Sequence, residues 1–194
     1  EMFYEDAKTA SPVLEIALTS RQKVPMCGVP YHAVNSYLAK LLRRGFKVAV
    51  CEQMEDPRAA RGVVRREVIK VLTPGTAVEI ENGEARENVY IASVLFRENG
   101  WGLAFVDLVS GEVRTLQGRP EDKRTASDEL FKTSPREILF PEGEEEAVFQ
   151  VLRPQGAFAV PTSAVEAWAF DLSQARQLLE EHFRVRSLAG FGLD

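Results

Sequence analysis

The stretch VPMCGVPYHAVNSYLAKLLRRGFKVAVCE, Val24 to Glu52, decides how the first half of the chain folds. Val24 to Pro30 holds two prolines and one glycine, the composition of a stiff, tight loop. From Tyr31 to Arg44 the apolar residues Ala33, Val34, Tyr37, Leu38, Leu41 and Leu42 recur on one helical face. Arg43 and Arg44 occupy the last turn, where positive charge suits the helix dipole, and Gly45 is the expected stop. Phe46 to Cys51 is mostly apolar and predicts a strand covered on both faces. A rigid loop is thus mounted on a helix clamped to a sheet. That arrangement either carries function or is a well-made αβ hairpin in a core.

Working outward, Met2 to Ser11 predicts a helix whose end Pro12 disturbs, Leu14 to Thr19 an alternating strand, and Ser20 to Lys23 a short loop. Val63 to Leu72 predicts a strand with Arg65, Arg66 and Lys70 interleaved among valines, closed by Thr73-Pro74-Gly75. The acidic stretch 77–88 lacks a period and predicts a linker between a domain at 1–76 and another at 89–194. Beyond it come strands at Val89 to Arg97, Trp101 to Leu108 and Glu112 to Leu116, with Asn99-Gly100 and Ser110-Gly111 as hairpin turns. A helix at Arg119 to Thr133, a strand at Glu137 to Phe140, a helix at Glu144 to Leu152, a strand at Ala157 to Val160 and a helix at Asp171 to Phe183 follow. Asp171 and Gln174 are spaced as a capping box. This order predicts an α/β chain whose second half is a mixed sheet with helices packed on it.

The chain has 194 residues, 45% of them hydrophobic, and a net charge of −5. Residues 1–74 carry 12 Lys and Arg against 8 Asp and Glu, a net +4, and residues 75–194 carry 12 against 21, a net −9. Only the first half has the sign of a phosphate-binding surface. No apolar run is long enough for a membrane span. Two cysteines, Cys27 and Cys51, make neither a disulfide framework nor a zinc site and predict a reduced, cytoplasmic setting.

The chemistry-bearing patterns are few. There is no GxxxxGK[ST] run and no GxGxxG after a strand. Cys27 and His32 lie close in sequence, but a cysteine on a proline-stiffened turn reads as a small buried hydrophobe. Asp107, with Glu112 on the next strand, is either a turn former or one of several carboxylates of a two-metal nuclease, which needs more of them to converge.

The motifs PMCGVPYHA, AVCEQ and LTPGT, in this order and spacing, resemble the MutS family of DNA mismatch repair proteins, and the resemblance extends over essentially the whole chain. It implies an N-terminal mixed α/β mismatch-recognition domain, truncated at its start, followed by a ribonuclease-H-like connector domain, truncated at its end. In that family a Phe-x-Glu motif reads the mismatch. By register Glu1 is its Glu, and the Phe falls two residues earlier, outside this chain. Arg21 and Arg66 match basic residues directed at the DNA backbone, Met26 lies in a loop near the minor groove, and Arg65 stands beside Arg66. The loop at Gln22-Lys23 is usually longer in the family, which implies residues missing there. The resemblance further implies double-stranded DNA with mismatches or small loops as ligand, MutL bound through the connector, and a homodimer in the full-length protein. It places no enzyme activity and no cofactor in this stretch, the family's ATP and Mg belonging to a distant domain. The alternatives are a structure-specific nuclease of ribonuclease-H-like build and an interaction scaffold without DNA binding.

Overall fold

The computed structural model describes residues 1–55, 62, 64–76, 88–152 and 160–193. The chain divides into two units, Glu1–Val89 and Tyr90–Asp194. Most of the stretch predicted as a linker, and the strand predicted at 157–160 save Val160, lie outside the described residues.

The first unit opens with β1 (Met2–Phe3) and α1 (Tyr4–Leu14). Ala7, Ala10, Ser11 and Leu14 are buried at helical spacing, and this period carries the helix through Pro12. Proline removes one hydrogen bond and crowds the turn before it, but it does not disturb the residues after it. The strand predicted at Leu14 to Thr19 therefore does not form. Instead Glu15 ends the helix in the left-handed region, at φ 58°, and Ile16 N–H returns to Ser11 O at 3.0 Å. Leu14 and Cys27 are fully buried with Ala7 and Ala10, and Leu41 of the next helix joins the same cluster. Such a leucine contributes about 1.5–3 kcal/mol by its burial.

The chain then makes a hairpin that the sequence reading missed. β2 (Thr19–Arg21) pairs antiparallel with β3 (Val24–Cys27), and β1 pairs with the other edge of β3, giving the order β1-β3-β2. The stretch read as a stiff loop is thus the central strand of this small sheet up to Cys27. Pro25 fits there because β1 pairs with β3 only at Met26 and Cys27, so at Pro25 the strand has one neighbour and the missing N–H can lie on its open side. Gln22 and Lys23 connect the two strands, with Arg21 paired directly to Val24. Both residues have positive φ, 52° and 68°, as a two-residue hairpin of primed type requires. Neither side chain favours that region. Replacing Gln22-Lys23 by Asn-Gly is expected to stabilise the chain by about 0.5–1 kcal/mol, read as a raised urea midpoint at unchanged slope.

A short 3-10 turn, Tyr31–Ala33, leads into α2 (Val34–Arg43). Leu38, Ala39, Leu41 and Leu42 form its buried face. Gly45, at φ 83°, closes it as expected, with Gly45 N–H on Leu42 O and Phe46 N–H on Leu41 O. β4 (Val48–Gln53) and β5 (Arg66–Leu72) make a separate two-stranded antiparallel sheet. Val48 and Val50 pack on Leu38, Leu42 and Leu72, while Ala49, Cys51 and Gln53 are exposed. The predicted strand covered on both faces is therefore covered on one. An apolar run by itself cannot say which of its faces will find a partner.

The second unit is a five-stranded mixed sheet with its first strand, Tyr90–Arg97, in the middle. β6 (Tyr90–Arg97), β7 (Gly100–Asp107) and β8 (Val113–Gly118) form an antiparallel meander, whereas β9 (Glu137–Pro141) and β10 (Thr162–Val165) run parallel to β6 and to β9. This meander followed by parallel strands, with the first strand in the middle, is the architecture that the resemblance implied. Ala92, Val94, Phe96, Trp101, Leu103 and Phe105 alternate onto one face. They meet Ala126 and Leu130 of α3 (Lys123–Thr133) and Val148 and Leu152 of α4 (Glu145–Leu152). α5 (Leu172–Phe183) begins at Asp171, which accepts from Gln174 N–H at 2.9 Å. Ser173 Oγ and that N–H hold the Asp171 carboxyl below the usual carboxylate range. The first hairpin turn is Glu98-Asn99 and not Asn99-Gly100, because Arg97 pairs with Gly100. Gly100 is needed for another reason: a Cβ there would lie 2.7 Å from Gly118 O on the neighbouring strand. Among the described residues, no helix is long and apolar enough to cross a membrane.

Candidate nucleic-acid interface

The three-stranded sheet of the first unit has two unlike faces. Met2 and Cys27 are register partners and both belong to the core cluster against α1. Side chains alternate along a strand, so Glu1, Phe3 and Met26 belong to the opposite face, as do Thr19, which pairs with Met26, and Arg21, which pairs with Val24. Three of the five residues singled out in the sequence, Glu1, Arg21 and Met26, therefore share one face.

Two of them are in direct contact. Arg21 Nη1 lies 3.3 Å from Glu1 Oε2 and 3.4 Å from Oε1. Glu1 extends β1 at one edge of β3, and Arg21 ends β2 at its other edge. The ion pair therefore reaches across β3 on the face that carries Met26. Met26 is half-buried, and its carbonyl accepts from Thr19 Oγ1 at 3.0 Å. The Arg21 and Glu1 side chains remain 63% and 49% exposed, so a competing partner can reach both.

Arg65 and Arg66 stand elsewhere, at the start of β5 in the two-stranded sheet. Arg65 Nη2 is 3.1 Å from Glu67, and Arg66 Nη1 donates to Val64 O at 3.3 Å. Neighbours on extended backbone point to opposite sides, so these two side chains leave the chain in opposite directions. Of the four charged candidates, Glu1, Arg21 and Arg65 are already ion-paired within the unit. Ion pairing leaves the net surplus of the first half unchanged but ties two of its three candidate arginines to carboxylates.

Phe3 was missed as a candidate. The period-two signal Glu1-Met2-Phe3 would have found it, but it was absorbed into a predicted helix. Tyr4, the first helical residue, has a positive φ of 53°, and this turn takes the chain from strand to helix within one residue.

Of the remaining chemistry-bearing residues, Cys27 and Asp107 have structural roles. Cys27 is buried, its Sγ 3.6 Å from Ala7 O, and burial pushes its thiol up. His32 is exposed. Asp107 is buried and accepts from Val109 N–H at 3.1 Å and Ser110 Oγ at 2.6 Å, which makes it the organiser of the β7–β8 turn. Glu112 turns toward Arg114, at 3.9 Å. Among the described residues, no three His, Cys, Asp or Glu side chains converge as a metal site would require.

Fold and surface thus define a two-unit α/β chain with an open, charged sheet face on the first unit. Residues 1–81 match the family model MutS domain I, and residues 89–194 match MutS domain II. The chain belongs to the MutS family. Three relatives, each called DNA mismatch repair protein MutS, illustrate the match. That of Desulfatibacillum aliphaticivorans is 40% identical over 198 residues, covering 100% of this chain and 22% of the relative. That of Lachnoclostridium phytofermentans is 38% identical, with 100% and 21% covered. That of Syntrophobacter fumaroxidans is 43% identical over 200 residues, with 100% and 22% covered. The chain spans about a fifth of the length of these relatives. A solved fowlpox virus resolvase in complex with Holliday junction DNA covers 49% of the chain at 10% identity and a TM-score of 0.34, a likeness too slight to carry an argument.

Proposed function

We propose that this chain is the DNA-reading and relay portion of a mismatch repair protein. In this reading residues 1–76 engage double-stranded DNA with mismatches or small loops, and residues 89–194 pass the signal on by binding MutL. The portion is not itself an enzyme. ATP and Mg are handled elsewhere in a cytoplasmic, homodimeric parent protein. The observation that carries the reading is the gathering of Glu1, Arg21 and Met26 on one open sheet face, in the unit that matches MutS domain I.

The 194-residue chain is expected to bind labelled duplex weakly and in a salt-dependent way. Its preference for a G·T duplex over homoduplex is expected to stay below about tenfold, because one added hydrogen bond contributes about 1 kcal/mol. Arg66→Ala is expected to weaken both duplexes equally and to lower the salt slope by about one. Fluorescence anisotropy at several salt concentrations reads all three. An absence of duplex binding at 50 mM salt would overturn the DNA-reading assignment, and an unchanged slope would remove Arg66 from the interface.

For the second unit, the surplus of acids points to a basic partner face rather than to phosphate. The three acids at the start of α4 are not equivalent. Glu144 is ion-paired with Arg97, and Glu145 accepts from Gly143 N–H at 3.3 Å, whereas Glu146 is exposed. Glu146→Lys is expected to slow association of the parent protein with MutL by about two- to threefold at low salt, with the difference shrinking at high salt. Surface plasmon resonance with homoduplex as competitor checks this. Displacement of MutL by DNA would refute the relay assignment.

A further inference from the structure

We propose that the Glu1–Arg21 ion pair is a latch across the DNA-reading face, closed in the free protein and opened by the duplex. The inference rests on the DNA-reading assignment above and adds a regulatory contact to it.

The argument begins with the strand order. β3 lies between β1 and β2, so the two charges come from opposite edges and can meet only by crossing over β3. They meet on the face of Met26 and Phe3, since Cys27 and Met2 turn the other way into the core. The contact therefore lies across the surface that a base pair would have to approach. It also occupies both charged groups. A guanidinium held on a carboxylate has fewer donors for a phosphate, and that carboxylate has a lone pair the fewer for a base edge. Duplex DNA offers each a replacement: phosphate for Arg21, and a base N–H donor for Glu1. The exchange gives Arg21 a new counter-charge and Glu1 a neutral donor, so neither group is left without a partner.

The latch is weak enough to open. Its N–O separations are at the long end of hydrogen-bond range, and both side chains are about half exposed or more. Water and salt screen such a pair. Opening it uncovers Met26 and Phe3 at the moment both charges find their new partners.

A double-mutant cycle on homoduplex binding tests this, using the full-length parent protein with Glu1→Gln, Arg21→Ala and the double variant. Both positions are exposed, so folding is expected to be unaffected, and thermal melts verify it. If the pair must open on binding, Arg21→Ala removes a phosphate contact but also removes the need to break the latch. In the Glu1→Gln background the latch is already gone. Arg21→Ala should therefore weaken binding by about 1.4- to fivefold more in Glu1→Gln than in the natural background, the range an exposed ion pair supplies. Equal effects in both backgrounds would overturn the latch. So would a larger effect in the natural background, which would mean that the pair persists on DNA. Absence of duplex binding by the unaltered parent protein would instead refute the DNA-reading assignment itself.

Discussion

Gly118→Ala is expected to destabilise the second unit by about 3 kcal/mol, at the upper end of what overpacking costs. Gly118 ends β8 and pairs with Trp101 of β7. A Cβ there would sit 2.3 Å from Trp101 Cζ2 and 2.4 Å from Cε2, closer than nonbonded atoms approach. The indole is buried and cannot yield without displacing Phe96 and Leu103 of the same core. Its Nε1 is already buried without a hydrogen-bond partner among the described residues, so the site has no slack in polar terms either. Gly102 supplies the control. It lies on the same strand, and a Cβ there would meet nothing within 4 Å. Gly102→Ala is expected to be neutral or to stabilise by up to about 1 kcal/mol, since strand glycine costs backbone entropy. Urea unfolding followed by tryptophan fluorescence compares the two. Equal midpoints would show that β8 shifts freely and that the Trp101–Gly118 contact is not a constraint.

Asp107→Ala is expected to cost about 2 kcal/mol of stability. It removes the hydrogen bonds that Val109 N–H and Ser110 Oγ donate to a buried carboxyl, each typically about 0.5–1.5 kcal/mol. Val109 and Ser110, the donors, are both exposed. Asp107→Asn keeps one acceptor and is expected to recover roughly half the loss. The pair of variants separates the two readings of this carboxylate. A turn organiser shows graded loss of stability in the order Asn, then Ala. A ligand in a nuclease centre would leave stability untouched, or raise it by relieving a buried charge, in both variants. Denaturant midpoints of the three proteins decide it.

Periodicity made α2, the β6–β7–β8 meander and the Asp171 cap legible, because each is specified by residues within a few positions of one another. The same signal misread Leu14 to Thr19. Leu14 satisfies both a period of two and the helical spacing of Ala7, Ala10 and Ser11, and burial against Cys27 and Leu41 decided for the helix. The stretch Val24 to Cys27 was read as a stiff loop from its composition. It became a central strand because β1 and β2 flank it, one from each side, and no local pattern contains that fact.

The sequence by itself determined the family, the two-part organisation of charge, and the residues Glu1, Arg21, Met26, Arg65 and Arg66 as candidates. The tertiary structure decided how they group. Glu1, Arg21 and Met26 stand together while Arg65 and Arg66 belong to another sheet, and Phe3 joins the first group from a position read as helix. The Glu1–Arg21 contact spans 20 positions of sequence. Its formation depends on three strands adopting one register, and register is set by which face is buried, a property of the packed core rather than of any segment within it.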